Sequence, residues 1–383
     1  MKIIADENIP YVVEAFSSLG DVKTVVGRSL KQSDLIAFEA DILLVRSVTP
    51  VTAALLTDTP VKFVGTSTIG TDHIDMDYLA QQHIGFANAP ASNATSAAEY
   101  VISALIVLAQ QQGFQLAQKT VGIIGCGNVG SRVLQKLQAL GVTCLVCDPP
   151  LQTQTGTMGY VNMHDVSQAD IITIHVPLVT TGAYPTWQLI DSHFLQRLNP
   201  NAILINTSRG DVIDETALIQ RLVKYPNMTA ILDVWEEEPA INQLLLQRTV
   251  FGTPHIAGYS FDGKVHGTEM IYNAACQYFA QPKYWSAQQS LADPALLRLR
   301  FSDTVQDNQA IYTAVTSVYD VRRDSDALRR GIYTDDPSEW FDLLRKQYPI
   351  RREFSSLTIQ LPATKLALAY QLEGLGFQVT INQ

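Results

Sequence analysis

Short apolar segments alternate with amphipathic ones along residues 1–93 of the chain. The apolar segments predict buried strands at residues 2–5, 22–26, 42–45, 62–65 and 85–87. Between them, segments such as residues 11–19 and 75–82 have the spacing of amphipathic helices. Strands that alternate with helices are typical of a parallel sheet covered on both faces, so this region is predicted to be a doubly wound α/β unit.

A second doubly wound α/β unit is predicted over residues 94–262. The sequence Asn93-Ala94-Thr95-Ser96 can cap a long apolar helix that runs to about residue 111. Apolar strands are predicted at residues 121–124, 144–147, 171–175, 202–206 and 230–232. A helical pattern at residues 263–279 is expected to pack back on the first unit, which residues 263–285 would complete.

Residues 286–383 have a different pattern from the first two units. Gln281-Pro282-Lys283 and the polar stretch at residues 286–293 are typical of a linker. Strands are predicted at residues 297–301, 357–361 and 378–381, and helices at residues 305–319, 338–347 and 363–375. This mixed order predicts a compact α+β domain. We recognise no catalytic motif in it.

Composition narrows the class of protein. The chain has 383 residues, of which 46% are hydrophobic, and this is enough for two or three domains with real cores. A net charge of -10 argues against a broad surface for nucleic acid or for an anionic membrane. Early acidic residues and short apolar runs indicate neither a signal peptide nor a membrane span, so a cytoplasmic location is expected. Cys144 and Cys147 lie in a predicted strand, where residues three apart face opposite sides, and no metal site is predicted.

A glycine-rich turn follows the first strand of the second unit and opens a helix. In Gly125-Cys126-Gly127-Asn128-Val129-Gly130, the first glycine permits a tight turn, the second lets the backbone approach a pyrophosphate, and the third lets helix and strand pack closely. Asp148 ends the next predicted strand, where a carboxylate would bond to the ribose hydroxyls and repel a 2′-phosphate. This arrangement predicts NAD as the cofactor, in preference to NADP.

Three further residues, Arg209, Glu238 and His255, offer a cation, a carboxylate and a titratable imidazole. Singly, each could be structural, because an arginine after a buried strand is often a salt-bridge partner and Glu-Pro is a common turn. Together, and beside a nucleotide site, they supply the parts that oxidation of a 2-hydroxy acid needs. His175 closes another predicted strand and is interpreted as structural, while Pro177 is expected to shape the loop over the nicotinamide.

These motifs, with Ile205-Asn206-Thr207-Ser208-Arg209-Gly210 and Leu232-Asp233-Val234-Trp235, resemble those of the D-isomer-specific 2-hydroxyacid dehydrogenases. The resemblance runs nearly end to end. It implies a flavodoxin-like substrate domain, a Rossmann NAD domain and a C-terminal dimerisation domain, and therefore a homodimer.

The resemblance also implies roles for individual residues. Arg209 would hold the substrate carboxylate and polarise the C2 oxygen, since a guanidinium suits bidentate contacts. His255 would take the hydroxyl proton as hydride leaves C2, and Glu238 would bond to the other ring nitrogen. Glu236 and Glu237 are interpreted as solvated neighbours. The cofactor would be bound by Gly125, Gly127, Asn128, Val129, Gly130, Asp148, Pro177, Thr207, Ser208, Asp233 and Gly258.

The resemblance also implies that the substrate is a small phosphorylated 2-hydroxy acid. Arg46, Ser47, Thr68 and Tyr259 match segments that bind substrate there, although Arg46 could instead pair with Asp72 or Asp75. The arginines of the last region could reach a substrate phosphate across a dimer, but ion pairs at a surface or interface are the favoured interpretation. They are Arg322, Arg323, Arg351 and Arg352.

Two alternatives remain open from the sequence. One is a phosphoglycerate or glycerate dehydrogenase whose C-terminal region binds an amino-acid effector. The other, less favoured because the acidic chain has no basic patch, is an NAD(H)-sensing binding protein similar to a transcriptional co-repressor.

Overall fold

The computed structural model describes residues 1–156, 159–291 and 293–382. The chain forms two compact units, one of Met1–Asn93 with Ser260–Asp293 and one of Ala94–Tyr259 with Pro294–Gln383. Strands and helices are numbered along the chain. The C-terminal segment therefore belongs to the same compact unit as the glycine-rich turn, and the helical pattern after residue 260 belongs with the first ninety-three residues.

The first unit is built on a five-stranded parallel sheet with the order β2-β1-β3-β4-β5. Its strands are β1 (Lys2–Asp6), β2 (Asp21–Val25), β3 (Ile42–Val45), β4 (Phe63–Thr66) and β5 (Gly85–Ala87), and its helices are α1 (Val12–Phe16), α2 (Gln32–Phe38), α3 (Ala53–Leu56), α4 (Met76–Gln81) and α12 (Phe261–Tyr278). Residues of β1, β3 and β4 are buried on both faces, as a covered parallel sheet requires. Ile271, Tyr272 and Ala275 of α12 share one core with Ile3 and Phe16.

The second unit contains a six-stranded parallel sheet with the order β11-β10-β9-β8-β6-β7. Its strands are β6 (Thr120–Ile124), β7 (Thr143–Cys147), β8 (Ile171–Ile174), β9 (Ile203–Asn206), β10 (Thr229–Leu232) and β11 (Phe251–Gly252). Its helices are α5 (Ala94–Gln112), α6 (Asn128–Ala139), α7 (Pro149–Thr155), α8 (Met163–Val166), α9 (Ser192–Arg197), α10 (Glu215–Lys224) and α11 (Gln243–Arg248). Strand order reverses at β6, so ligands are expected beyond the carboxyl ends of β6 and β8.

The C-terminal segment adds a small parallel sheet with the order β12-β13-β14. Its elements are β12 (Arg298–Arg300), α13 (Asp307–Val318), α14 (Val321–Arg330), α15 (Pro337–Lys346), β13 (Thr358–Pro362), α16 (Leu366–Leu375) and β14 (Gln378–Asn382). Apolar residues of α13 and α16 join those of α5 and α6 in one continuous core. The predicted fold class is confirmed, with α14 as the main addition.

Hydropathy misses α14 because two of its four buried positions are polar. Val321, Asp324, Ser325 and Leu328 lie on one face at helical spacing. The Asp324 carboxylate accepts hydrogen bonds from the hydroxyls of Tyr319 and Tyr348, and the Ser325 hydroxyl accepts one from the Gly252 N–H. Hydrogen bonds from distant residues thus make these polar groups compatible with burial.

Among the helices that the structure describes, none is both long enough and apolar enough to cross a membrane. Within the same residues, no group of three or more His, Cys, Asp or Glu side chains is arranged to hold a metal ion.

Candidate active site

The glycine-rich turn joins β6 to α6 and has space for a ligand at one point. Gly125 has φ +86, a conformation that favours glycine, and a Cβ at Gly130 would lie 1.9 Å from the Gly125 carbonyl oxygen. A Cβ at Gly127 would meet nothing within 4 Å. Asn128 and Val129 then begin α6, whose first N–H groups can bind an anion. The turn therefore fits the pyrophosphate of a dinucleotide.

Asp148 ties this turn to the end of β7. Its Oδ2 accepts a hydrogen bond of 2.7 Å from the Cys126 N–H, and its Oδ1 accepts one of 3.0 Å from the Leu151 N–H at the start of α7. Carboxylate oxygens can accept more than one hydrogen bond. The predicted bond to a ribose hydroxyl is thus compatible with these contacts and stays a prediction.

The different surroundings of the glycines separate folding from cofactor binding. Gly130→Ala should lower the free energy of unfolding by about 1–3 kcal/mol or more, because the new methyl group collides with backbone. Gly127→Ala should leave the melting temperature nearly unchanged but weaken NAD binding, because its methyl group points into open space where the pyrophosphate would lie. Thermal unfolding and calorimetric NAD titration of both variants check this. Equal losses of stability in both would contradict the assignment.

His175, at the end of β8, is neutral and structural. Its Nε2 lies 2.9 Å from the Thr173 hydroxyl, and its Nδ1 lies 3.1 Å from the Thr207 hydroxyl. Burial lowers the pKa of His175 to about 3, so the ring carries no charge at neutral pH. Thr207, a predicted cofactor residue, is therefore in contact with a structural histidine. Pro177, another predicted cofactor residue, accepts a hydrogen bond from the Thr186 hydroxyl through its carbonyl.

Arg209 lies in a turn that Asn206 closes at the end of β9. The Asn206 side chain accepts hydrogen bonds from the N–H and hydroxyl of Ser208 and donates one of 2.8 Å to the Arg209 carbonyl. The Arg209 Nη1 donates to the Ser208 carbonyl at 2.8 Å. A Cβ at Gly210 would lie 1.9 Å from the Trp235 carbonyl carbon, so the Arg209 turn packs directly on the segment that leads to Glu238.

Glu238 and His255 form a close pair. The His255 Nδ1 lies 2.7 Å from the Glu238 Oε2, and the Glu238 Oε1 accepts a hydrogen bond of 3.1 Å from the Trp235 N–H. Burial works to raise the pKa of Glu238, but the neighbouring His255 and Arg345 outweigh it and lower the pKa overall. Glu238 is therefore an ionised carboxylate that holds Nδ1 and leaves Nε2 as the nitrogen for chemistry.

Asp233 positions the loop that carries His255. Its Oδ1 accepts hydrogen bonds from the Thr253 hydroxyl at 2.6 Å and the Ile256 N–H at 2.8 Å, and its Oδ2 accepts one from the Ala257 N–H at 2.8 Å. The His255 N–H also donates to the Asp233 carbonyl. These hydrogen bonds satisfy the Asp233 carboxylate and so make its burial in the core possible. The contacts to the nicotinamide predicted for Asp233 and Gly258 stay predictions.

The predicted substrate residues of the first unit follow β3 and β4. The Arg46 Nε lies 3.1 Å from the Asp6 Oδ1, so Arg46 pairs with Asp6, a partner that the sequence did not suggest. Ser47 is exposed, and the Thr68 hydroxyl lies 2.7 Å from the Thr66 hydroxyl. The sequence analysis did not single out Lys264. Burial, and to a smaller extent the charge of the nearby Arg46, lower the pKa of Lys264 to about 8.

Charged residues near the site differ from the sequence interpretation in two places. Glu236 is half-buried and not solvated, because it accepts a hydrogen bond from the Glu215 N–H while Glu215 accepts one from the Glu236 N–H. Arg351 is 2% exposed and donates to the carbonyls of Ala257 and Ser96. Arg322 and Arg323 form ion pairs with Asp320 and Asp324, as the favoured interpretation expected.

A glycine-rich turn at the switch point of a parallel sheet, with an arginine, a glutamate and a histidine in the loops that follow β9, β10 and β11 at the same edge of that sheet, defines the class of nucleotide-dependent dehydrogenases. A family model for the D-isomer specific 2-hydroxyacid dehydrogenase, NAD binding domain, matches residues 90–257. A second model, for a domain of unknown function, matches residues 291–376.

Curated relatives extend the match to the whole chain. The erythronate-4-phosphate dehydrogenase of Hahella chejuensis is 45% identical over 382 residues, covering 99% of this chain and 100% of the relative. That of Cronobacter sakazakii is 46% identical over 382 residues, with 99% of each chain covered. The chain belongs to the D-isomer specific 2-hydroxyacid dehydrogenases, within the erythronate-4-phosphate dehydrogenase family. The predicted family and NAD-binding domain are confirmed.

Solved structures support the fold alone. A 3-phosphoglycerate dehydrogenase from Entamoeba histolytica with bound NAD+ has a TM-score of 0.61 at 24% identity, covering 73% of this chain and 95% of that one. A D-lactate dehydrogenase from Aquifex aeolicus with NAD and lactic acid has a TM-score of 0.58 at 23% identity, covering 73% and 96%.

Proposed function

We propose that this protein catalyses the NAD-dependent oxidation of 4-phospho-D-erythronate to (R)-3-hydroxy-2-oxo-4-phosphooxybutanoate, a step of pyridoxine 5′-phosphate biosynthesis. The observation that carries the proposal is the 2.7 Å pair of His255 and Glu238 at the same edge of the sheet as the glycine-rich turn. The full-length match to erythronate-4-phosphate dehydrogenases supports this choice of substrate. The 3-phosphoglycerate dehydrogenase described above matches 73% of this chain at 24% identity, and that likeness supports the fold alone.

The residues of the site divide the chemistry among them. His255 Nε2 accepts the proton of the C2 hydroxyl, and Glu238 stabilises the resulting imidazolium through Nδ1. The Arg209 guanidinium binds the substrate carboxylate and polarises the C2 oxygen. When bound, NAD supplies the acceptor for the hydride that leaves C2. In the reverse direction, the protonated His255 returns its proton to the C2 oxygen.

A turnover assay tests this function. Purified protein with 4-phospho-erythronate should reduce its bound NAD within a single turnover, which absorbance or fluorescence of the reduced nicotinamide would record. Activity on 3-phosphoglycerate that exceeds activity on 4-phospho-erythronate would instead establish the phosphoglycerate-type reaction. If neither acid reduced the bound NAD while the protein bound another macromolecule only in the presence of NADH, the co-repressor-like alternative would stand.

Two further properties belong to the same proposal. We propose a homodimer built through the C-terminal segment, which exposes the apolar side chains of Tyr333, Ile350 and Tyr370. Sedimentation of the purified protein measures this, and a monomeric mass would contradict it.

We also propose a cytoplasmic location, which the free thiols of Cys126, Cys144, Cys147 and Cys276 favour.

A further inference from the structure

The C-terminal segment brings a cation to the catalytic pair. Arg345 lies in the last turn of α15, and its guanidinium carbon is 5.9 Å from the centre of the Tyr259 ring. Tyr259 follows the His255 loop directly and is one of the predicted substrate residues. Arg345 is also close enough to Glu238 to help lower the pKa of that carboxylate. Sequence reasoning overlooked this arginine because it has no motif of its own.

The surroundings of Arg345 hold it in place without using all of its donors. Its guanidinium carbon lies 5.9 Å from the ring of Phe341, one helical turn earlier, and Phe341 is fully buried. The Tyr259 ring packs edge-on against Tyr348 at 5.6 Å, and the Tyr348 hydroxyl donates to Asp324. The Arg345 Nε is shielded from solvent and has no hydrogen-bond partner among the residues that the structure describes.

A buried guanidinium N–H without a partner is costly, and a ligand that accepts from it would remove this cost. Arg345 has a side-chain hydrogen bond with Tyr259, and its charged neighbours are Glu238 and Asp342. These carboxylates keep the arginine charged but do not satisfy its Nε. An anionic group of the substrate, seated next to Tyr259 and the Arg345 Nε, would supply the missing acceptor. A phosphate suits this position because its oxygens can accept from several guanidinium donors.

We propose that Arg345 is a specificity-determining residue that binds the phosphate of the substrate next to Tyr259. This inference rests on the proposed function, in which Arg209 already binds the carboxylate at the other end of the molecule. The C-terminal segment then contributes to substrate selection, in addition to its packing on the nucleotide-binding sheet.

The test compares two substrates and three variants. Arg345→Gln should raise KM for 4-phospho-erythronate so that kcat/KM falls about 10- to 100-fold, as expected for the loss of hydrogen bonds to a charged group. For unphosphorylated erythronate, which has no phosphate to lose contact with, kcat/KM of Arg345→Gln should differ from that of the wild type by less than about threefold. Arg345→Lys should recover part of the lost kcat/KM, since it keeps the charge but not the planar fork. Lys346→Gln removes the same charge from the next, exposed residue and should match the wild type.

The outcomes separate this inference from the proposed function. Absence of turnover by the wild-type protein would defeat the proposed function, whatever the variants do. If the wild type is active and Arg345→Gln lowers kcat/KM equally for both substrates, the phosphate contact would be overturned. Such a result would indicate an effect through Glu238 or through folding. Inorganic phosphate should inhibit the wild type competitively and inhibit Arg345→Gln more weakly, and equal inhibition of both would also overturn the inference.

Discussion

Replacing His255 by asparagine should lower kcat by about 10²–10⁴-fold, the usual contribution of a positioned acid–base group. An amide cannot take the hydroxyl proton, so hydride transfer would have to generate an unstabilised charge on the C2 oxygen. Asparagine is the suitable replacement because residue 255 has φ 55, a left-handed conformation that asparagine tolerates better than alanine. Single-turnover reduction of bound NAD by 4-phospho-erythronate measures the change.

A matched control keeps this result specific. His193 is exposed on α9 in the same unit, and His193→Asn should retain the wild-type rate. Both variants should bind NAD and melt like the wild type, because neither change removes apolar packing. If His255→Asn kept more than about a tenth of the wild-type rate, the acid–base role of His255 would be wrong.

Arg209→Gln should reduce kcat/KM by about 10²–10³-fold, comparable with the loss of a donor that stabilises developing charge. The guanidinium both seats the carboxylate and polarises the C2 oxygen, so kcat and KM should worsen together. Arg209→Lys should restore little of the activity, because a single ammonium cannot make the bidentate contact. Steady-state kinetics with varied substrate at saturating NAD would separate the two constants.

The control for Arg209 is Arg197, an exposed arginine at the end of α9. Arg197→Gln removes the same charge from the same unit and should leave kcat/KM within about twofold, as for most exposed substitutions. An unchanged KM in Arg209→Gln would show that Arg209 does not bind the carboxylate. An unchanged kcat would show that it does not polarise the C2 oxygen.

Periodicity was sufficient to predict most of the fold. The central strands of the first two sheets are short apolar runs buried on both faces, so local hydropathy alone indicates them. The helix α14 (Val321–Arg330) departs from this rule, because its buried Asp324 is stabilised by tyrosines at positions 319 and 348. No local window contains both the carboxylate and all of its partners.

The residues of the site also fall into two groups, those that a local motif predicts and those that only contacts between distant parts of the sequence reveal. The turn at Gly125 and Gly130 and the pairing of Glu238 with His255 were predictable, because each lies in a short motif with a mechanistic meaning. The role of Arg209 stays a prediction. The anchoring of the His255 loop by Asp233, and the approach of Arg345 to Tyr259, depend on contacts across 20 residues or more of the sequence. Such contacts follow from packing, which a single sequence does not reveal.

The buried Arg351 joins the C-terminal segment to α5 and to the loop that carries His255. It stacks on Tyr319 at 3.6 Å, donates to the carbonyl of Ser96 at the start of α5, and donates to Ala257 in the catalytic loop. A version without residues 294–383 would lose these contacts with α5 and leave an apolar face in water. The C-terminal segment is thus part of the same packed unit as the glycine-rich turn, and its removal would require compensating changes along α5.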